Sequence, residues 1–194
     1  MQSKYNSRHH VTVYSTFQLY LRETTQRLRI LGGIAREVGF KLGVKQVRGA
    51  YLETERRRAE ARNVQSPVHD TLQATHDSYN GALVENMQAV RAGCVSLIVA
   101  SHNKESVGLA AQLATEMRAP KTDVFCVQLY GIGDSLTHAA ARDGTLQVYK
   151  LIPYGPLDEV LPYLGRRLEE NRGMLSGAVH ELREMKSELR RRLW

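Results

Sequence analysis

Apolar positions along the chain follow two spacings, and stretches of one alternate regularly with stretches of the other. VTVYSTFQ (11–18) is β-branched and aromatic, as a strand requires, whereas LRETTQRLRILGGIAREVG (21–39) repeats its apolar residues at helical spacing and ends on glycine. VKQVRGAYL (44–52) predicts a second strand, followed by the charged helical ETERRRAEARN. A polar loop near Ser66-Pro67 leads to a helix over 75–93. CVSLIVASHN (94–103) predicts a third strand whose unbroken apolar run suits burial on both faces, with a helix over 104–118 behind it. DVFCVQLYGIG (123–133) is the fourth strand, and the next helix, 134–144, has Asp134 as its expected N-cap. LQVYKLIPYG (146–155) is the fifth. The following helix carries an apolar stripe of Leu157, Val160, Leu161, Leu164 and Leu168, and residues 175–194 predict a further helical tail.

Five strand–helix units in alternation predict a parallel sheet wrapped by helices, in a single domain over 1–194. A doubly wound open sheet and part of a (β/α)8 barrel both satisfy this pattern. Each predicted strand ends in polar or small residues: Gln18, Arg48-Gly49-Ala50-Tyr51, Ser101-His102-Asn103, Gln128 with Tyr130-Gly131, and Tyr154-Gly155. Barrel active sites collect side chains from the C-terminal ends of several strands, which favours the barrel. A whole barrel takes eight units and about 250 residues. The expected fold is therefore α/β: five βα units of a TIM-type barrel, incomplete in this chain, plus a C-terminal helical tail. Open sheet edges then predict poor stability or self-association.

Composition changes this picture little. At 42% hydrophobic and 24% charged the chain has the make-up of a globular domain, and no apolar run approaches the ~20 residues of a membrane span. The first residues, MQSKYNSRHHVTVY, hold no apolar secretory core. A net charge of +7 raises nucleic-acid binding, but the basic residues of 53–62 and 181–194 interleave with glutamates. No basic platform interleaved with aromatics is present, so no nucleic-acid partner is expected. Cys94 and Cys126 lie in or beside apolar runs, without a CxxC pair or zinc-type His/Cys spacing. They read as reduced core thiols, and no metal site is expected.

The candidate chemistry lies at the strand ends. RGAY either admits a ligand close to the backbone or forms a tight strand exit. No GxGxxG or GxxxxGK[ST] loop occurs, and GIGD (131–134) lacks the remaining glycine of such a motif. His102 closes an apolar strand, as a structural residue or a ligand contact. Lys45 and Arg48, three apart on a strand, face opposite ways. Tyr163, Arg166 and Arg167 share one helix face, which is either solvated beside Glu170 or a clamp for an anion. Pro162 and Gly165 weaken that helix and suggest a bend or a close backbone approach.

KQVRGAYLETERRRA, ASHN, QLYG and PYGPLDEVLPYLGRRLEEN, in that order from about Tyr14 onward, resemble the proline dehydrogenase family, FAD-dependent enzymes that include hydroxyproline dehydrogenases. The resemblance implies a (β/α)8 flavoprotein of proline catabolism that oxidises L-proline to Δ1-pyrroline-5-carboxylate. Hydride passes from the ring carbon beside nitrogen to flavin N5, and the electrons pass on to a quinone. By the same resemblance, Gln18, Lys45, Arg48, Gly49, Ala50, Ser101, His102 and Glu170 would contact FAD, with Lys45 catalytic near N5. Tyr51, Leu129 and Tyr163 would wall the proline ring, and Arg166 and Arg167 would hold its carboxylate. A mitochondrial address is implied, in the matrix or at the inner membrane, and peripheral membrane contact and a homo-oligomer are compatible with it. Two residues depart from the family pattern: Leu151, where a tyrosine is usual and hydroxyproline-preferring relatives carry a small residue, and Gln46 in a usually apolar strand. The family's earlier strands, with a substrate-side lysine and an active-site aspartate, have no counterpart in these residues. The alternatives are hydroxyproline as substrate, a catalytically impaired chain acting as a ligand- or subunit-binding module, and an open-sheet protein that binds an acidic partner.

Overall fold

In a computed structural model of the protein, residues 1–170 and 178–193 are described. The strands are β1 (Ser15–Gln18), β2 (Leu42–Val47), β3 (Val95–Ala100), β4 (Val124–Leu129) and β5 (Gln147–Leu151). The helices are α1 (Gln2–Tyr5), α2 (Thr24–Val38), α3 (Leu52–Ala61), α4 (Leu72–Arg91), α5 (Lys104–Glu116), α6 (Asp134–Asp143), α7 (Leu157–Glu170) and α8 (Ala178–Leu193). The strands form one parallel sheet in the order β1-β2-β3-β4-β5, each paired with its sequence neighbours. Right-handed crossovers between consecutive parallel neighbours put every connecting helix on the same face. That order is the one a barrel wall takes, and it decides against the doubly wound sheet, whose strand order reverses at a switch point.

One face of the sheet carries the core. Val44, Leu97, Val99 and Cys126 from the strands pack with Leu28, Tyr79, Leu83, Met87, Val107 and Ala110 from the helices, all buried. A polar side chain, Gln46, also points into this layer at 0% exposure. Its Nε2 donates to the Tyr79 carbonyl at 2.7 Å and its Oε1 accepts from Asn86 Nδ2 at 2.9 Å. A buried amide without partners would cost about 1–3 kcal/mol, and here both ends are met by α4.

Alternate residues present the other face: in register across the sheet lie Thr16, Lys45, Ile98, Phe125 and Gln147. Phe125 packs edge-on to Tyr14 at 6.4 Å and tilted to Tyr149 at 6.0 Å. Beneath the N-terminal end of the sheet runs the segment before β1. Residues 11–14 do not join the strand predicted over 11–18, because Asn6 takes up their backbone groups. Its side chain accepts from Thr12 N and Val13 N and donates to the carbonyls of Val13 and Lys41. Gly43 lets this segment cross β2 closely, since a Cβ there would lie 2.4 Å from the Val13 carbonyl oxygen.

The second strand ends at Val47, earlier than predicted, and Leu52 already belongs to α3. Asp134 is the first residue of α6 and Gly133 is its N-cap. The Asp134 carboxylate turns instead to Lys150 Nζ at 2.8 Å. Cys126 is buried as expected, whereas Cys94 sits half-exposed before β3 and is no core thiol.

Candidate active site

At the C-terminal ends of the strands, side chains from each strand reach the next and tie the rim together. Between β1 and β2, Gln18 Oε1 accepts from the Ala50 amide at 3.1 Å. Between β2 and β3, Arg48 Nη1 donates to Ser101 Oγ at 3.0 Å. From β3 to β4, His102 Nε2 accepts the Leu129 amide at 2.9 Å, and Gln128 Nε2 donates to the Ser101 carbonyl at 3.1 Å. From β5, Lys150 Nζ reaches the carbonyls of Leu129 at 3.2 Å and Ile132 at 2.9 Å. Six of the residues expected to meet a cofactor or substrate, Gln18, Arg48, Ala50, Ser101, His102 and Leu129, are thus joined through their own backbone or side chains.

Arg48 is a half-buried cation whose guanidinium is engaged at all three nitrogens. Besides Ser101 it donates through Nε to His76 Nδ1 at 2.8 Å and through Nη2 to Ser106 Oγ at 2.9 Å. Its guanidinium lies 4.3 Å from the centre of the Tyr79 ring. Burial holds its pKa below the ordinary value, with the Tyr79 and Glu105 charges opposing that shift. An arginine starts so high that it remains cationic. The fully buried Tyr79 hydroxyl is pushed well above its usual value by the same desolvation.

Lys45 is the contrasting cation. It faces the side of the sheet away from the helix layer, between Thr16 and Ile98 in register, and is half-buried. Among the described residues no hydrogen bond or ion pair engages its ammonium. The two cations of the second strand therefore do face opposite ways, one held in the helix layer and one open to the other face.

Gly49 follows Arg48 with φ at +145°. A Cβ there would lie 1.5 Å from the Tyr20 ring, so the glycine of RGAY serves the packing of Tyr20, which is 2% exposed. Tyr51 at the start of α3 is exposed. Leu129 and Leu151 are in-register neighbours on β4 and β5 and share the face that carries Lys45.

On α7, Arg167 lies over the Tyr163 ring at 5.1 Å, while Arg166 is exposed. The leucine stripe faces solvent, with Leu157, Leu161, Leu164 and Leu168 all exposed. The helix runs through Pro162, and among the described residues a Cβ at Gly165 would meet nothing within 4 Å. Glu170 ends the described part of this helix, and its side chain lies outside the described residues.

Sequence reasoning missed His76, Tyr79, Ser106, Tyr20 and Lys150. Only Lys150 carried a signal, as a charge inside an apolar strand. Among the described residues no group of His, Cys, Asp or Glu could hold a metal ion.

A parallel sheet in sequential order, with a polar rim at its C-terminal ends, defines a barrel-type α/β domain of the kind that binds its ligands at that rim. The family model of proline dehydrogenase matches residues 1–180, and the chain belongs to the proline dehydrogenase family. It is 39% identical over 184 residues to the mitochondrial proline dehydrogenase 2 of Arabidopsis thaliana, covering 93% of this chain and 38% of that protein. It is 42% identical to the hydroxyproline dehydrogenase of Bos taurus, again over 93% of this chain and 40% of the relative. Among solved structures it superposes on proline utilization A (PutA) of Bdellovibrio bacteriovorus with a TM-score of 0.73 at 26% identity. That match covers 80% of this chain and 16% of the PutA chain. The chain thus spans well under half the length of these relatives.

Proposed function

We propose that this chain supplies the flavin- and substrate-binding rim of a mitochondrial FAD-dependent proline dehydrogenase, oxidising L-proline to Δ1-pyrroline-5-carboxylate with a quinone as the final electron acceptor. The observation that carries the reading is Lys45: a half-buried residue whose ammonium has no protein partner among the described residues, on the face of the sheet turned away from the helix layer. A cation left open on that face is available to an electron-rich group bound there. Gln18, Arg48, Ser101 and His102 stand on the same rim, at the ends of three adjacent strands, and supply polar side chains of the kind a flavin dinucleotide needs. FAD, when bound, accepts the hydride lost from the proline ring carbon beside nitrogen.

The chain's own residues would then divide the work. Lys45 favours negative charge at the flavin N5 edge through a preorganised field. Gly49 and Ala50 bring backbone to the cofactor, and Glu170 would approach it from α7. Tyr51, Leu129 and Tyr163 wall the ring, and Arg166 with Arg167 takes the carboxylate, fixing the carbon that loses hydride. Leu129 and Leu151 side by side present an apolar wall without a hydrogen-bonding group. That favours proline over hydroxyproline, whose hydroxyl would lose water there and gain nothing in return.

The visible spectrum of the purified protein tests this. Flavin bands bleached by L-proline under anaerobic conditions are expected, with Lys45→Met slowing the bleaching at least ~100-fold. Proline is expected to be preferred over hydroxyproline by about tenfold to a hundredfold in kcat/KM. Flavin bands that proline does not bleach would make the chain a binding module instead, and a colourless protein with no affinity for added FAD would end the flavin reading.

A further inference from the structure

We infer that His76 is a positioning residue for Arg48: as a neutral imidazole it fixes the guanidinium at the rim, and its protonation releases that hold and weakens flavin binding. The inference rests on the flavin reading above for its functional consequence, but not for its geometry. Arg48 has donors only, so its Nε–H can be taken at 2.8 Å only by an Nδ1 that carries no proton. The bonded state therefore requires the imidazole with its hydrogen on Nε2. Once Nδ1 is protonated, two N–H groups and two positive charges oppose each other at hydrogen-bond distance.

The remaining contacts do not replace this one. Ser101 and Ser106 hold the two terminal nitrogens of Arg48, and Ser106 in turn donates to Asn80 Oδ1 at 2.7 Å. Both are single hydroxyls, one just after β3 and one on α5, and neither meets the inner nitrogen. His76 is the partner of the inner nitrogen, the third of the hydrogen bonds that hold the group over Tyr79 and the one a proton abolishes. Arg48 directly precedes Gly49 and Ala50, whose amide is tied to Gln18, so a loosened guanidinium loosens the strand exit at which the flavin is proposed to lie.

The charges facing His76 come from three elements. Arg48 at the end of β2 opposes protonation, whereas Glu105 on α5 and Asp77 on its own helix favour it. Burial is the largest influence, and with Arg48 it leaves the imidazole below its ordinary 6.5. The neutral form thus prevails at neutral pH, and the hold is lost as pH falls through that lowered value.

The test is FAD affinity of the flavin-stripped full chain, followed by flavin fluorescence from about pH 5 to about pH 8. Wild type is expected to keep a constant Kd above the His76 transition and to lose affinity below it, approaching ~tenfold per pH unit. His76→Asn places an amide oxygen where Nδ1 stood but does not titrate. It should bind within about threefold of wild type at high pH and show no fall on acidification. His76→Ala should be weaker at every pH. A wild-type profile without the acid fall, or the same fall retained in His76→Asn, overturns the inference. Should the wild type bind no FAD at any pH, the flavin reading fails, and imidazole 15N NMR decides the geometry alone. An Nδ1 without a proton, titrating below 6.5 in wild type and higher in Arg48→Met, supports the latch. An Nδ1 that carries the proton at neutral pH, or the same titration in both proteins, sinks it.

Discussion

Gly49 and Gln46 are two residues of β2 and its exit whose identities make sense only against what lies beside them. A side chain at Gly49 would enter the Tyr20 ring, and φ at +145° strains any other residue. Gly49→Ala is expected to destabilise the protein by at least ~2–3 kcal/mol, read as a lower urea midpoint at unchanged slope. The thiols differ for a comparable local reason. Burial pushes Cys126 from its ordinary 9.0 up to about 11, so its thiol is protonated and enclosed at neutral pH. A disulfide reagent should label Cys94 quickly in the folded protein and Cys126 only on unfolding. Because the folded state disfavours the Cys126 thiolate, its contribution to stability is present below pH 9.0 and is lost as pH rises towards about 11. Rapid labelling of both thiols in native buffer would contradict this placement.

At the scale of elements, β4 and β5 are joined by more than their ladder. Lys150 binds two carbonyls of the 129–132 turn and the Asp134 carboxylate at the start of α6, so one ammonium sets the path from strand to helix. It is only 19% exposed, so this pair is worth more than a surface ion pair, though the 39% exposure of Asp134 lowers its value. Lys150→Met should cost about 1–3 kcal/mol and speed proteolytic cleavage within residues 130–134, with far-UV circular dichroism unchanged. Unchanged cleavage would show that the turn holds its own shape. The helix α7 stands in contrast: its order along the chain follows the sequence pattern, but its leucine stripe packs on no core.

For the whole molecule, sheet order is the decisive property. Among the described residues β1 and β5 each pair along one edge only, and Ile30, Ile34 and Val38 on the outer side of α2 are exposed together with the α7 leucines. Unpaired parallel edges beside apolar faces predict self-association. Sedimentation velocity at micromolar concentration should show species above the 21.9 kDa chain, shifting towards the monomer in Ile34→Lys with Leu161→Gln. A strictly monomeric, stable wild type would refute that expectation.

The sequence by itself determined the five βα units, the buried third strand and the polar residues at each strand end, because these are written in local spacing. It also placed Lys45 and Arg48 on opposite sides, which needs only the two-residue repeat of a strand. Only the tertiary structure decided what those residues touch. The partners of Arg48 stand 28, 53 and 58 residues away, on α4, just after β3 and on α5. No local period reports contacts over such separations. Asn6 likewise turned a predicted strand over 11–14 into a bound loop, since a side chain folded against it met backbone groups that a neighbouring strand would otherwise have taken. The order β1 to β5 excluded the doubly wound sheet for the same reason: strand neighbours are a property of the packed chain, whereas hydrophobic periodicity is a property of each segment alone.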